Sequence, residues 1–276
     1  MTRNPSAIRL AKKVPEITIF FWVVKLLTTA TGEAASDFLV YDIDKYLAVI
    51  LGLAGLVIAL VVQIGLRRYV TWAYWFAVTM VAVFGTMAAD VMHIVLGVPY
   101  VMSTVFFISA LAIVFVAWYL TERTLSIHSI YTTRRELFYW ATVIATFALG
   151  TAAGDMTATS LGWGYLVSIL AFAALIAVPA LGYRYLRFNA VVAFWFAYVV
   201  TRPLGASIAD WLGRSPDLGG IGFGMGPTTL CLSFLILAFV SYLAVTRKEV
   251  DRDGAGGRQG ASPLARDRHS RRSDRG

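Results

Sequence analysis

The chain alternates long apolar runs with short polar breaks. Eight runs, at roughly 17–40, 46–66, 71–95, 99–120, 137–159, 164–186, 190–212 and 223–246, each hold about 20 residues, enough to cross a bilayer as a helix. The pattern predicts an all-α membrane protein of eight transmembrane helices. The runs are of two kinds. Odd-numbered ones end in small side chains: Ala34-Ala35-Ser36, Thr86-Met87-Ala88-Ala89, Thr151-Ala152-Ala153-Gly154 and Ala206-Ser207-Ile208-Ala209. Even-numbered ones are rich in Leu, Ile, Val and Phe, as from Leu53 to Leu66 and from Phe106 to Val116. Small residues let helices approach closely in lipid. The odd spans are therefore expected inside, packed on one another, with the even spans facing lipid.

A repeat underlies this alternation. An aromatic–Trp pair is followed ten residues after the Trp by Gly, and five residues later by Asp. The copies are Trp22–Gly32–Asp37, Trp75–Gly85–Asp90, Trp140–Gly150–Asp155 and Trp195–Gly205–Asp210, preceded by Phe21, Tyr74, Tyr139 and Phe194. Successive Trp residues fall 53, 65 and 55 positions apart, giving repeats of about 17–66, 71–120, 137–186 and 190–246. Such periodicity dictates the fold. Each unit has an even number of spans, so all four insert in the same orientation, related by an axis along the membrane normal. A four-fold ring and two pairs both satisfy that requirement.

Composition agrees. Only 14% of residues are charged, against about 25% in a soluble domain. The net charge of +8 is not spread evenly. With the N-terminus inside, inner segments hold 20 Lys and Arg residues and outer loops only Lys45 and Arg214. This positive-inside bias places both termini in the cytoplasm and removes the reason to invoke nucleic acid. Residues 1–16 read as a basic arm. Residues 247–276, rich in Arg, Gly, Ser and Asp, read as a disordered basic tail. Such a tail can attract anionic lipid at about 1 kcal/mol per charge, or be a solvated anchor. The single cysteine, Cys231, allows no internal disulfide and reads as a small buried apolar residue.

The candidate chemistry lies in the repeated carboxylates. At 1.5 Å per residue, an Asp fifteen positions beyond an interfacial Trp sits about 22 Å above it, near the outer surface. Four charges at matched depth need an offset, either packing around a polar cavity or a bound cation. Glu33 stands one turn before Asp37 on the same face. Thr28, Thr146 and Thr201 recur four residues before the Gly and would offer hydroxyls to the same interior. Lys25 and Arg202, deep in spans one and seven, would neutralise carboxylates of neighbouring repeats, Lys25 as a static partner unless it snorkels to the interface. Arg202 adjoins Pro203, which should kink or open its helix, making the pair a candidate gate. His93, three residues after Asp90, is either a metal partner of that Asp or an interfacial residue. The Trp residues read as an interfacial belt or as packing anchors.

Some chemistries fail. Intramembrane aspartyl proteolysis would need a second Gly where residue 152 is Ala, and Asp42 falls in an outer turn. A retinal protein would want Lys in the last span, which has none before Lys248. No phosphate-cradling Gly loop, Cys/His metal cluster or Ser–His pair stands out. The four two-helix units with their Trp and Gly-x4-Asp elements resemble a bacterial membrane family defined by a repeat of unknown function. That resemblance covers residues 17–246 and implies an eight-span inner-membrane protein, without an activity to transfer. More loosely, the segment from Gly32 through Glu33 to Asp37 looks like the acidic helical motifs of manganese and calcium exporters.

The resulting expectation is not an enzyme but a secondary cation transporter, a proton-coupled exporter of a divalent metal. Hard oxygen ligands suit Mn²⁺, Mg²⁺ or Ca²⁺. Asp37, Asp90, Asp155 and Asp210 would bind the ion or exchange it for protons, with Glu33 adding charge. No resident cofactor is implied, and the oligomeric state is not encoded legibly. Two alternatives stay open: a membrane scaffold or sensor whose carboxylates only hold the bundle together, and a carrier of small organic solutes.

Overall fold

Each odd-numbered helix starts beside its aromatic–Trp pair and runs to, or just past, its Asp. In the computed structural model, which describes residues 12–185 and 187–246, the eight long helices are α1 Ile19–Asp37, α2 Lys45–Gly65, α3 Thr71–Asp90, α4 Tyr100–Glu122, α5 Thr133–Asp155, α6 Gly164–Tyr185, α7 Ala190–Gly213 and α8 Met225–Thr246. There is no strand among the described residues. Helices α2 to α8 are long and apolar enough to cross a membrane. Helix α1, which carries Lys25, Glu33 and Asp37, is not among them.

Local sequence sets the helix starts. Thr18 and Thr132 accept a hydrogen bond from the third residue on, Phe21 N and Arg135 N. Asp44 accepts from Tyr46 N and Leu47 N, and Asn189 from Val191 N and Val192 N. Each thereby satisfies amides that the first turn leaves without partners. The far ends of the odd helices share a less common device. After Asp37, Asp90 and Asp155 the α-helix widens into a π turn, over Phe38–Ile43, Val91–Val95 and Met156–Ser160. Copies two and three close it identically, with Val98 N to Met92 O at 3.0 Å and Trp163 N to Thr157 O at 3.2 Å. Copy four differs: α7 continues to Gly213, and a Gly-rich loop folds back on its last carbonyls.

The four odd helices form a closed ring, α1 against α3, α3 against α5, α5 against α7 and α7 against α1. Each even helix packs mainly on the odd helix of the next repeat: α2 on α3, α4 on α5, α6 on α7, and α8 back on α1. The arrangement is thus the four-fold one, with each repeat lending its second helix to its neighbour. Even helices bury only a narrow stripe, such as Ala48, Gly52, Leu56, Ala59 and Gln63 on α2, or Thr228, Leu232, Ile236, Val240 and Leu243 on α8. Their other faces present Ile58, Ile113, Leu170 and Phe234 outward. Cys231 lies on such an outward face and is exposed, not buried as its residue type suggested. The inside-odd, outside-even expectation matches this arrangement.

The repeated glycines make the ring possible. A Cβ at Gly32 would strike Ala82, one at Gly85 would strike Phe147, one at Gly150 Arg202, and one at Gly205 Thr29. Each struck residue lies three positions before the Gly of the next copy, and the fourth contact returns to the first repeat. At the Trp end, Phe21, Tyr74, Tyr139 and Phe194 are all buried, and Phe21–Phe194 and Tyr74–Tyr139 ring centroids lie 6.1 and 6.5 Å apart. Trp75, Trp140 and Trp195 are buried and Trp22 half-buried, so these residues are packing anchors, not a lipid-facing belt. The described part of the N-terminal arm is docked rather than free. Lys13 is buried on Glu136 at 2.5 Å, and Gln63 Nε2 donates to the same carboxylate at 3.2 Å. Residues 1–11 and the basic tail with its anionic-lipid reading lie outside the described residues.

Candidate functional site: a carboxylate–arginine seam inside the ring

Where the four odd helices meet, one polar knot draws on all of them. Arg202 of α7, fully buried, lies 2.7 Å from Glu33 Oε2 of α1 and 2.6 Å from Thr151 Oγ1 of α5, and also contacts Thr86 Oγ1 of α3. Its other terminal nitrogen donates to Thr29 O at 3.3 Å. The Thr86 and Thr151 hydroxyls each donate to Glu33 Oε2 at 3.1 Å. Glu33, Thr86 and Thr151 occupy one register, the residue after the repeated Gly. In copy four that place holds Ala206, and Arg202 enters from one turn earlier. The four-fold frame thus holds an asymmetric charge pair on its axis. A buried pair of this kind gains little net stability over apolar packing, yet losing one partner strands a charge.

One turn further on, Glu33, Asp37 and Asp210 bring carboxylate oxygens within 4.8 Å of one another, all three buried. Arg214, one turn beyond Asp210, bridges the last two: Nη2 to Asp37 Oδ2 at 2.5 Å and Nε to Asp210 Oδ1 at 3.2 Å. Burial acts to push the Arg214 guanidinium down, but Asp37 and Asp210 outweigh it and raise it above the ordinary arginine value. Arg214 therefore stays charged. The Gly-rich loop fixes it: Gly222 N donates to Arg214 O at 2.9 Å, and a Cβ at Gly220 would collide with that carbonyl.

The four aspartates do not share one environment. Asp37 and Asp210 meet at the seam between the last and first repeats. Asp90 and Asp155 stand outside the cluster and are only half-buried, and Asp90 Oδ2 has no hydrogen-bond partner among the described residues. His93 does not join Asp90; its Nδ1 is 2.8 Å from Val98 O and its ring stacks on Tyr100. Thr28, Thr146 and Thr201 are buried, but their hydroxyls bond carbonyls of their own helices. Lys25 pairs with no carboxylate among the described residues. Its Nζ, fully buried, sits 3.9 Å from the Phe147 ring centre and 4.2 Å from that of Tyr198, with no hydrogen-bond partner among the described residues. Pro203 does not open its helix: α7 runs unbroken through it, with Pro203 packed beside Gly150.

Sequence reasoning found Glu33 and Arg202 but missed Thr86, Thr151 and Arg214. The first two were legible as polar residues at the register of Glu33. Arg214 was legible as a cation four residues after Asp210, the spacing of facing helical neighbours. A separate cavity of about 630 Å³, lined by Trp22, Leu26, Ile176, Phe194, Thr201 and Leu204 among others, contains none of the acidic residues. Its lining is mostly apolar, unlike the polar knot inside the ring.

These features define a helical membrane protein built as a ring of tandem two-helix repeats around a buried ionic seam. Residues 73–124, 138–187 and 193–249 each match the repeat of unknown function DUF347, together more than half of the chain. The chain belongs to that family. The unmatched copy is the first, the one that carries Lys25 and Glu33. No curated protein and no solved structure matches the chain.

Proposed function

We propose that the protein is a proton-coupled secondary transporter of a divalent cation, with all eight helices spanning a bacterial inner membrane and both termini in the cytoplasm. The observation that carries this reading is the convergence of Glu33, Asp37 and Asp210 on the ring interior. Three carboxylate oxygens in that space, with hydroxyls alongside, are hard donors suited to Mn²⁺, Mg²⁺ or Ca²⁺. In the present conformation two guanidinium groups occupy the positive positions a cation would take. Arg202 and Arg214 both come from the last repeat, and Glu33 and Asp37 from the first. Movement of α7 against α1 would withdraw both arginines together and free the acids for an ion.

The same pairing supports a second reading. A carboxylate already bound to arginine is also what a static scaffold or sensor would use to close its ring. Total metal content of cells, measured by elemental mass spectrometry at matched protein levels, separates the two. The transporter reading expects one divalent metal to be depleted by the wild type and not by Asp37→Asn. Unchanged metal content with both proteins folded would leave the scaffold and the organic-solute carrier.

A further inference from the structure

Lys25 has no role in the cation site just described, yet it is fully enclosed within the ring. Its place, seven residues before Gly32, corresponds to Val78, Val143 and Tyr198 in the other copies, so one lysine replaces an apolar or aromatic layer. The ammonium of a charged Lys would have no acceptor here, only two aromatic faces. Such faces attract a cation but do not replace its lost hydrogen bonds. A neutral amine fits the same space without that penalty. Buried lysine is the side chain that changes protonation most readily in such surroundings.

Its neighbours show what a change of protonation would do. The Phe147 ring lies against both Lys25 Nζ, at 3.9 Å, and the Arg202 guanidinium, at 5.2 Å. Arg202 is the charged group that acts on Lys25 from α7, with Tyr198 beside it. Helix α8 has no charged residue, α3 has only Asp90 at its far end, and α5 faces Lys25 with Phe147. Tyr74 and Tyr139 lie one layer further toward the Trp end, and Glu33 two turns on along α1. A charged Lys25 would then face Arg202, whose ion-pair partner among the described residues is Glu33.

We propose that Lys25 is a proton-binding site whose occupancy alternates with that of the cation site, Arg202 carrying the message between them. This rests on the transporter reading above. A cation at Glu33, Asp37 and Asp210 displaces Arg202 toward the Phe147 ring, where it is accommodated only when the Lys25 amine is neutral. A proton taken up by that amine returns Arg202 to Glu33 and expels the cation. Proton and cation therefore exclude each other, the condition for exchange.

The test uses the full-length protein in liposomes, with Mn²⁺, Mg²⁺ and Ca²⁺ each as probe, a fluorescent chelator inside and a pH dye to follow protons. The wild type should move protons against the cation gradient. Lys25→Met should keep cation-for-cation exchange within about three-fold and lose proton movement by at least ten-fold, and Lys25→Arg should lose it as well. Proton coupling equal to wild type in Lys25→Met overturns the proposal alone. Loss of exchange as well, in protein that elutes and melts like wild type, also overturns it, because Lys25 would then be building the cation site. No cation flux by the wild type removes the transporter reading and this proposal together.

Discussion

Two seams of the same ring behave differently. Between repeats two and three, α3 meets α5 through Gly85 and Phe147, and the aspartates at their ends, Asp90 and Asp155, pair with no arginine among the described residues. Between repeats four and one, α7 meets α1 through the equivalent Gly205 and Thr29, and two arginines reach across to Glu33 and Asp37. The backbone geometry is shared; the charges are not. The symmetric features (glycine crossings, aromatic layer, borrowed even helix) account for the fold. The asymmetric ones belong to a single seam, and deviation from a locally consistent pattern is where function is expected.

That contrast can be broken in order of effect. Glu33→Gln leaves Arg202 buried without its counter-charge, and breaking such a pair costs about 3–5 kcal/mol. The melting temperature in detergent should fall sharply, and Arg202→Met in the same chain should restore most of it by removing the stranded charge. Alanine at Gly32, Gly85, Gly150 or Gly205 should cost about 1–3 kcal/mol by overpacking. The loss should be similar at all four positions if the ring is what holds the fold, and unfolding curves of the four variants would show it. Arg214→Gln should be milder than Glu33→Gln, because the Arg214 side chain is 27% exposed and water can reach its pairs, although both carboxylates are buried. Substituting Asp90 by Asn should change melting least, since no ion pair among the described residues holds that carboxylate; a loss as large as that of Asp37→Asn would erase the distinction between the seams.

Much of the ring was legible along the chain. The Trp–Gly–Asp spacing gives four equivalent helices, and the small residues before each Asp mark them as the inner ones. An Arg in one repeat and a Glu in another, both deep in apolar runs, must find each other, and they do. Neighbours across the ring were harder. Nothing in the run from Leu53 to Leu66 tells α2 to leave α1 and pack on α3. Lys25 was expected to meet a carboxylate, but the side chains closing its layer are Phe147 and Tyr198, residues 122 and 173 positions away in the chain. Equal spacing made the four aspartates look equivalent. Which pair meets depends on where the ring closes and on Arg214, whose loop has no counterpart in the other copies. Pro203 predicts a break from its residue type, yet the ring holds α7 continuous around it.

The most direct measurement is divalent-cation flux into chelator-loaded proteoliposomes for the wild type and for the double variant Glu33→Gln, Arg202→Met. The double variant removes the Glu33–Arg202 pair with side chains of similar size and leaves the Arg214 pairs with Asp37 and Asp210 in place. If the seam is the cation site, the wild type moves a divalent ion and the double variant, folded and inserted to the same level, does not. Equal flux through both, or none through either, would contradict the account.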